Sequence, residues 1–310
     1  MGGGGGGGGA FPVGPADIDA LRERAREIAD QASFDAQVNG ELADRLAEIN
    51  SRDAQKVSDY LDGAVDALRE EIAEVDRTLF GGSVAKSTYV EGLSDIDALL
   101  VLKDTPQDAP PERVLEHMRQ ALASRLSAAD VDSVRAGALA VTVRYVDGTE
   151  IQLLPAVQKG ERLAISSPDG SQWTTIHPRR FVQALRDLNA AQGRAAVPAI
   201  KLAKAVIAAQ LPDDRRPSGY HVEALAVAAF GDYTGARNPK AMLTHFFAAA
   251  ARGVLKPIKD ISGQSHHLDE RLGPAGSAPR QSMANDLQRI ANIMENSGTL
   301  SEWQTVLGDD

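Results

Sequence analysis

The chain has 310 residues, a net charge of −10, no cysteine and 43% hydrophobic residues. This length suits two domains or one bilobed unit with a real core, and the missing cysteines exclude disulfides and thiolate metal sites. The acidic balance argues against broad, non-specific nucleic-acid binding, and the lack of both an apolar signal core and a bilayer-length apolar run predicts a soluble cytoplasmic protein.

The chain opens with a glycine tract that cannot repay its ordering entropy, so residues 1–14 are expected to be a flexible tail. After the tail, apolar residues recur at helical spacing through 17–50, opposite a face of dense alternating charge. A cleaner apolar stripe, from Val57 to Val75, predicts a long helix over 53–76.

The segment 82–102 carries the most informative pattern in the sequence. Asp95 and Asp97 are separated by one residue and lead into an apolar strand predicted over 97–102. Alternate side chains of a strand share a face, so both carboxylates project the same way, and two anions this close suit a Mg²⁺ ion between them. The Gly82-Ser83 turn upstream can direct backbone N–H groups and a hydroxyl at phosphate. The segment therefore predicts a combined metal and phosphate site.

A predicted helix over 112–126 is followed by a predicted hairpin. Its first strand alternates apolar and polar residues over 141–145, and Asp147-Gly148 is a two-residue turn signal. The returning strand is expected over 150–154, with Pro155 ending it.

The register of this hairpin decides which side chains share a face. A tight two-residue turn pairs Tyr145 with Glu150 and Val143 with Gln152. Glu150 and Gln152 are therefore expected on one face of the sheet.

From about residue 181 the pattern is helical almost throughout. Candidate helices are 179–190, 197–210, 218–231, 239–251 and 280–296, with Trp303 near the end. The sequence thus predicts an α+β protein of two lobes, with a mixed sheet and its helices over 15–160 and a helical lobe over 161–310.

The pattern Gly82-Ser83, Lys86, Thr88 and Ser94-Asp95-Ile96-Asp97 resembles the signature of the DNA polymerase β-like nucleotidyltransferases. In particular it is similar to that of the bacterial CD-NTases, which are relatives of cyclic GMP-AMP synthase and the oligoadenylate synthetases. The resemblance implies a nucleotidyltransferase lobe followed by a helical nucleotide-binding lobe, with the boundaries already given.

The resemblance also implies a chemistry. Asp95 and Asp97 would bind two Mg²⁺ ions, with Mn²⁺ as an alternative, while Gly82, Ser83 and Lys86 would hold the phosphates. Nucleoside triphosphates, ATP among them, would be joined into a cyclic di- or trinucleotide, the second messenger of an antiphage (CBASS-type) system.

The helical lobe contributes weaker signals. By the resemblance, Lys201 or Lys204, which lie on one helix, would contact a triphosphate, although paired lysines alone more often form a solvated face. By the same resemblance Ser218 or Tyr220 would lie near the base or the phosphates, and Glu223 would hold the lobe together.

Two kinds of protein partner follow from the resemblance. The cyclic product would act on a separate effector protein, and an accessible Gly308 would be compatible with conjugation by a ubiquitin-like transfer apparatus. A frayed terminus is the simpler interpretation of the chain end.

One residue departs from the family pattern. The family places a third carboxylate three residues before a Leu-Pro-Ala-like turn, and here that position is Gln152. Three explanations stay open: an inactivating substitution, natural or introduced; a working variant in which Glu150 reaches the metal; or a site that needs only two carboxylates. The alternatives to a cyclic synthase are a linear oligonucleotide or RNA-end nucleotidyltransferase and a catalytically silent nucleotide-binding pseudoenzyme.

Overall fold

The structure is a computed structural model that describes residues 15–51, 54–72, 75–80, 96–102, 109–159, 162–167, 169–176, 178–258 and 269–309. The helices are α1 (Pro15–Ser51), α2 (Ala54–Glu71), α3 (Pro111–Arg125), α4 (Pro178–Ala191), α5 (Ala196–Gln210), α6 (Gly219–Phe230), α7 (Pro239–Gly253), α8 (Ala278–Asn296) and α9 (Leu300–Leu307), with 3-10 turns at Asp213–Arg215 and Glu270–Leu272. The strands are β1 (Val75–Phe80), β2 (Ile96–Leu102), β3 (Val131–Ala136), β4 (Val141–Tyr145), β5 (Glu150–Lys159), β6 (Arg162–Ser166) and β7 (Trp173–Ile176).

A seven-stranded mixed sheet is built around β2 and β5, which run parallel. The strand order is β1-β2-β5-β4-β3, and every pair other than β2 with β5 is antiparallel. β5 pairs with β4 through 150–153 and with β6 through 156–159, and β6 pairs with β7. The apolar run of β2 is buried on both faces, as expected for a central parallel strand.

The prediction that Pro155 ends the returning strand is wrong, because β5 continues to Lys159. Pro155 lies between the stretch that pairs with β4 and the stretch that pairs with β6. A proline is tolerated in a strand where its missing N–H is not needed by a neighbour, and a change of partner strand is such a place.

The predicted register of the β4–β5 hairpin is wrong by one residue. Arg144 pairs with Glu150 and Thr142 with Gln152. The loop is longer than two residues because Gly148 takes a φ of +88° and the backbone N–H of Thr149 donates to Asp147 at 2.9 Å. Glu150 and Gln152 still share a face, since they are two residues apart in one strand.

The predicted helix over 53–76 extends too far, since α2 ends at Glu71 and β1 begins at Val75. Ile72 and Val75 continue the helical spacing of apolar residues. A prediction from periodicity alone therefore extends the helix into residues that form β1. Strands β3, β6 and β7 are also absent from the sequence-based prediction, because they are short and lack a clear alternation.

Separate apolar cores support the sheet and the helices. One face of the sheet packs against α2 and α3, and the other face holds a smaller cluster that includes Leu99, Val101 and Ile165. A third core joins α4 through α9 and includes Val38 and Leu42 of α1. Thus α1 packs with the helical lobe, although it precedes the sheet in the chain.

The sheet extends to Ile176, so strands β6 and β7 lie beyond residue 160, where the sequence suggests the division between lobes. α4 begins the helical part at Pro178. No helix in the described ranges is both long enough and apolar enough to cross a membrane.

Candidate active site

Two of the predicted catalytic residues lie side by side on the central strands. Asp97 of β2 and Gln152 of β5 are register partners in the parallel pair. Register partners occupy the same face of a sheet, so positions 97 and 152 belong to one face. Gln152 is half-buried, and its partner on the other side of β5 is Thr142. The fold therefore brings together positions 97 and 152, two of the three positions at which the sequence predicts metal ligands.

Glu150 shares this face but already has a partner. Its carboxylate lies 3.4 Å from the guanidinium of Arg144, which is also 3.8 Å from Asp132. These side chains are partly exposed, so the ion pairs are weak and could exchange. A metal ligand at Glu150 would have to give up this arginine.

The remaining residues of the predicted phosphate and metal site, Gly82, Ser83, Lys86 and Asp95, lie outside the described residues. In the described part of the chain, which leaves out 81–95, no group of three or more His, Cys, Asp or Glu residues could hold a metal ion. The donors at positions 95, 97 and 152 are carboxylate and amide oxygens, a set that fits Mg²⁺ by chemistry, with one negative charge fewer than three carboxylates.

Lys201 of α5 is half-buried and faces α1. Its ammonium donates to the side-chain oxygen of Asn50 at 2.7 Å. Burial, together with the positive charge of Lys204, holds the pKa of Lys201 below its usual value. The ammonium is partly desolvated, and the partner described for it is a neutral amide. Such a cation is suited to an anionic ligand.

Lys204 has a different environment from Lys201, although the two residues are one turn apart. It is 3% exposed, and its ammonium donates to the Glu223 carboxylate of α6 at 2.9 Å. Glu223 is fully buried, so this ion pair joins α5 to α6 inside the helical core. The contact matches the structural role predicted for Glu223.

Ser218 and Tyr220 lie at the start of α6. Ser218 is the N-cap, and its side chain accepts from the backbone N–H of His221. The ring of Tyr220 packs at 4.4 Å, centroid to centroid, against Phe181 of α4. The two residues predicted to lie near the nucleotide are therefore held at the start of α6, against α4.

Sequence reasoning missed Asn50 and a buried polar cluster beside the start of α6. In this cluster Arg280 donates to Asp269 at 2.6 Å, and His221 Nε2 lies 3.8 Å from the same carboxylate. Asn50 is separated from Lys201 by 151 residues in the chain. No spacing pattern in one sequence signals a contact over such a separation.

Part of the chain matches the sequence model of a known protein family. Residues 37–189 match the family model of the Second Messenger Oligonucleotide or Dinucleotide Synthetase domain. The matched segment contains Asp97 and Gln152 and the strands that carry them. No curated protein matches the chain by sequence.

Solved structures share the architecture at low sequence identity. CdnC of Escherichia coli MS115-1 with ATP is 17% identical, with a TM-score of 0.62 over 87% of this chain and 96% of that chain. CdnG of Bradyrhizobium diazoefficiens with GTP is 19% identical, with a TM-score of 0.62 over 88% and 95%. The cyclic AMP-GMP synthase DncV of Vibrio cholerae is 12% identical, with a TM-score of 0.60 over 96% and 92%.

The fold is thus the polymerase β-like nucleotidyltransferase fold, in the bilobed form that these proteins share. Residues 37–189, just under half of the chain, match the synthetase domain, and the chain has the fold of a solved bacterial CD-NTase. The resemblance drawn from the motif at 82–97 is confirmed.

Proposed function

We propose that this protein is a nucleotidyltransferase that joins nucleoside triphosphates, ATP among them, into a cyclic di- or trinucleotide second messenger. The observation that carries the proposal is the register of Asp97 with Gln152 inside the segment that matches the synthetase domain. One similar structure contains ATP and another contains GTP, which supports nucleoside triphosphates as substrates.

The reaction is an in-line attack of a ribose hydroxyl on the α-phosphate of a second nucleotide. In each round one phosphodiester bond forms and the bond to pyrophosphate breaks. The second round closes a dinucleotide ring, and a third round closes a trinucleotide ring. Two Mg²⁺ ions, or Mn²⁺, would supply charge neutralisation of the triphosphate when bound. The residues that would hold them are Asp95 and Asp97, with the amide oxygen of Gln152 in the third position.

The other binding roles are distributed over both lobes. Gly82, Ser83 and Lys86 would contact the phosphates from the sheet side. From the helical side, the Lys201 ammonium would reach the triphosphate, with Ser218 and Tyr220 near the nucleotide. Lys204 is assigned here to the Glu223 ion pair, because its ammonium is already neutralised and buried.

Gln152 lowers the negative charge at the site, and this should leave the attacking hydroxyl less activated. A neutral residue at position 152 is also compatible with two other functions. A silent nucleotide-binding pseudoenzyme would keep recognition without turnover, and a linear nucleotidyltransferase would make an open product.

The deciding experiment incubates the protein with Mg²⁺ or Mn²⁺ and all four labelled nucleoside triphosphates, in parallel with a Gln152→Asp variant. We expect Gln152→Asp to raise the rate by about a hundredfold, since it restores a charge that acts on the transition state. Gln152→Asn, which shortens the side chain without adding charge, is the matched control and should give no gain.

The product and a second variant separate the alternatives. A phosphatase-resistant cyclic product supports the proposal, a ladder supports the linear enzyme, and silence from all variants supports the pseudoenzyme. Glu150→Ala should change the rate little; a large loss would instead assign the third ligand to Glu150.

We further assign the product to antiphage (CBASS-type) signalling in the cytoplasm, where it would bind a separate effector protein. A CdnC:HORMA-deltaN complex among the similar structures supports a search for protein partners. We also propose that the chain end can be conjugated by a ubiquitin-like transfer apparatus. The conjugated residue would lie next to residues that are held by the fold, because Gly308 caps α9 and Asp309 forms an ion pair with Arg45 of α1. A mass shift after co-expression with neighbouring genes tests this conjugation.

A further inference from the structure

The N-terminal half of α1 extends away from the rest of the described molecule. From Phe34 onward the helix contacts α7, where Lys240 lies over the Phe34 ring and pairs with Asp35, and Val38 is fully buried. In contrast, every residue of 18–33 is exposed. This part of α1 is therefore a helix without a partner in the described structure.

One face of the exposed segment is apolar. Ile18, Leu21 and Ile28 are 41%, 60% and 70% exposed, and they are among the most exposed large hydrophobic residues described. With Ala25 and Ala32 they alternate spacings of three and four residues, the a and d positions of a heptad repeat. We call these five residues the α1 seam. Over these two heptads the apolar residues form one stripe, which is the kind of surface that packs against another helix, whereas exposed apolar residues scattered singly form no stripe.

Of the three charged residues at the e and g positions beside the α1 seam, Asp17 at the first g position is acidic and the other two are basic. Arg22 and Arg24 occupy the e and g positions that flank it, whereas the next e and g positions are the uncharged Ala29 and Gln31. The acidic residues from 18 to 32 lie at positions that face away from the seam: Asp19, Glu23, Glu27 and Asp30. The overall charge of the protein is negative, so this basic border is a local feature.

We propose that the α1 seam binds an amphipathic helix of another protein, whose apolar stripe is flanked by Asp or Glu. The partner's acidic e and g positions would pair with Arg22 and Arg24, and its large a and d side chains would fill the space left by Ala25 and Ala32. The Arg22 bond to Asp19, at 3.2 Å, is exposed and weak, so it can be exchanged for the partner.

A second copy of this chain fits the seam less well. In an antiparallel pair the g positions face each other, so Arg24 would meet Arg24 of the partner subunit. In a parallel pair Arg24 would meet an uncharged alanine, and Asp17 with Arg22 would be the only opposite charges at these positions. The alanines at a also leave little apolar area when both helices carry them.

The test uses the full chain and two designed peptides of about three heptads, with Ile at a and Leu at d. One peptide carries Glu at e and g, and the other carries Lys. Fluorescence anisotropy should show that the acidic peptide binds at least about tenfold more tightly than the basic one. Ile28→Glu should abolish binding, and Glu23→Lys, on the opposite face, should leave it unchanged.

Charge reversal gives a readout that a loss of folding cannot mimic. The double variant Arg22→Glu with Arg24→Glu should reverse the preference, so that the basic peptide becomes the tighter ligand. Equal binding of both peptides, or no binding of either, overturns the proposal. Dimers in analytical ultracentrifugation that disappear in Ile28→Glu also overturn it, because a second copy would then cover the seam.

Discussion

At Lys201 the structure separates two lysines that look equivalent in the sequence. Lys201 contacts the neutral Asn50 amide, whereas Lys204 is in a buried ion pair with Glu223. We therefore propose the triphosphate contact for Lys201 and not for Lys204, because the Lys204 ammonium would have to give up a buried ion pair to reach a ligand.

Replacing Lys201 with alanine should raise the dissociation constant for ATP by about tenfold, since a charge-assisted contact to phosphate is lost. Asn50→Ala should raise it by only about threefold, because Asn50 orients the ammonium through one hydrogen bond. Isothermal titration calorimetry with ATP and Mg²⁺ measures both. Lys256→Ala, at an exposed lysine, is the control, and an equal effect from this control would contradict the assignment.

The Lys204–Glu223 pair should matter for stability. Lys204→Met leaves the Glu223 charge buried without its ion partner, so we expect a loss of about 3 kcal/mol in the free energy of unfolding. The double variant Lys204→Met with Glu223→Leu should lose much less than the sum of the two single losses. Urea unfolding of all four proteins gives this coupling; strictly additive losses would show that the pair is not a unit.

At the scale of elements, α9 attaches the end of the described chain to α1 and α5. Gln210 of α5 donates to the carbonyls of Thr305 and Val306, and Gln304 donates to Glu41 of α1 at 3.2 Å. Gly308 ends the helix with a φ of +84°, and a Cβ there would lie 2.9 Å from the Cβ of Ala209. This close approach requires glycine for both conformation and space.

Gly308→Ala should therefore destabilise the protein more than a glycine-to-alanine substitution at a position where the only cost is the strained backbone conformation. Gly276 is the matched control, because it has a φ of +71° and open space where the methyl group of an alanine would lie. We expect about 1 kcal/mol of destabilisation for Gly276→Ala, and at least about 1 kcal/mol more for Gly308→Ala. Urea unfolding measures both values, and equal losses would argue against the contact with Ala209.

At the scale of the whole molecule, the buried cluster of His221, Asp269 and Arg280 links the start of α6 to α8 and to the segment before it. Burial lowers the pKa of His221 well below 6.5, against the pull of Asp269 and with the help of Arg271 and Arg280. Burial alone would raise the pKa of Asp269, but bonds from Arg280 and the Ile258 N–H, with His221 nearby, hold it below its usual value.

Both shifts give stability the same pH dependence. His221 is neutral in the folded state, so the unfolded chain binds more protons once the pH falls below about 6.5, and Asp269 adds the same sign at lower pH. The free energy of unfolding should therefore decrease as the pH falls from about 7 to 5. The midpoint of urea unfolding should fall less steeply with decreasing pH in the His221→Asn variant than in the unmodified protein. An equal pH dependence of the two midpoints would contradict the role of His221.

The sequence by itself determined the class of the protein and most of its helices. The motif at 82–97 needs only local spacing to be read, and helices such as 197–210 and 280–296 have enough turns for their apolar period to stand out; the structure places them at Ala196–Gln210 and Ala278–Asn296. The sequence also identified Gln152 as the residue at the predicted third-ligand position, because it lies three residues before Pro155.

Only the tertiary structure decided which residues meet. The register that places Asp97 beside Gln152, the hairpin shifted by one residue, and the different partners of Lys201 and Lys204 all join residues far apart in the chain or depend on loop geometry. Short strands such as β6 and β7 gain their hydrogen bonds from neighbours and carry no periodic signal of their own. Local periodicity reports on one element at a time, whereas a site is made where several elements pack.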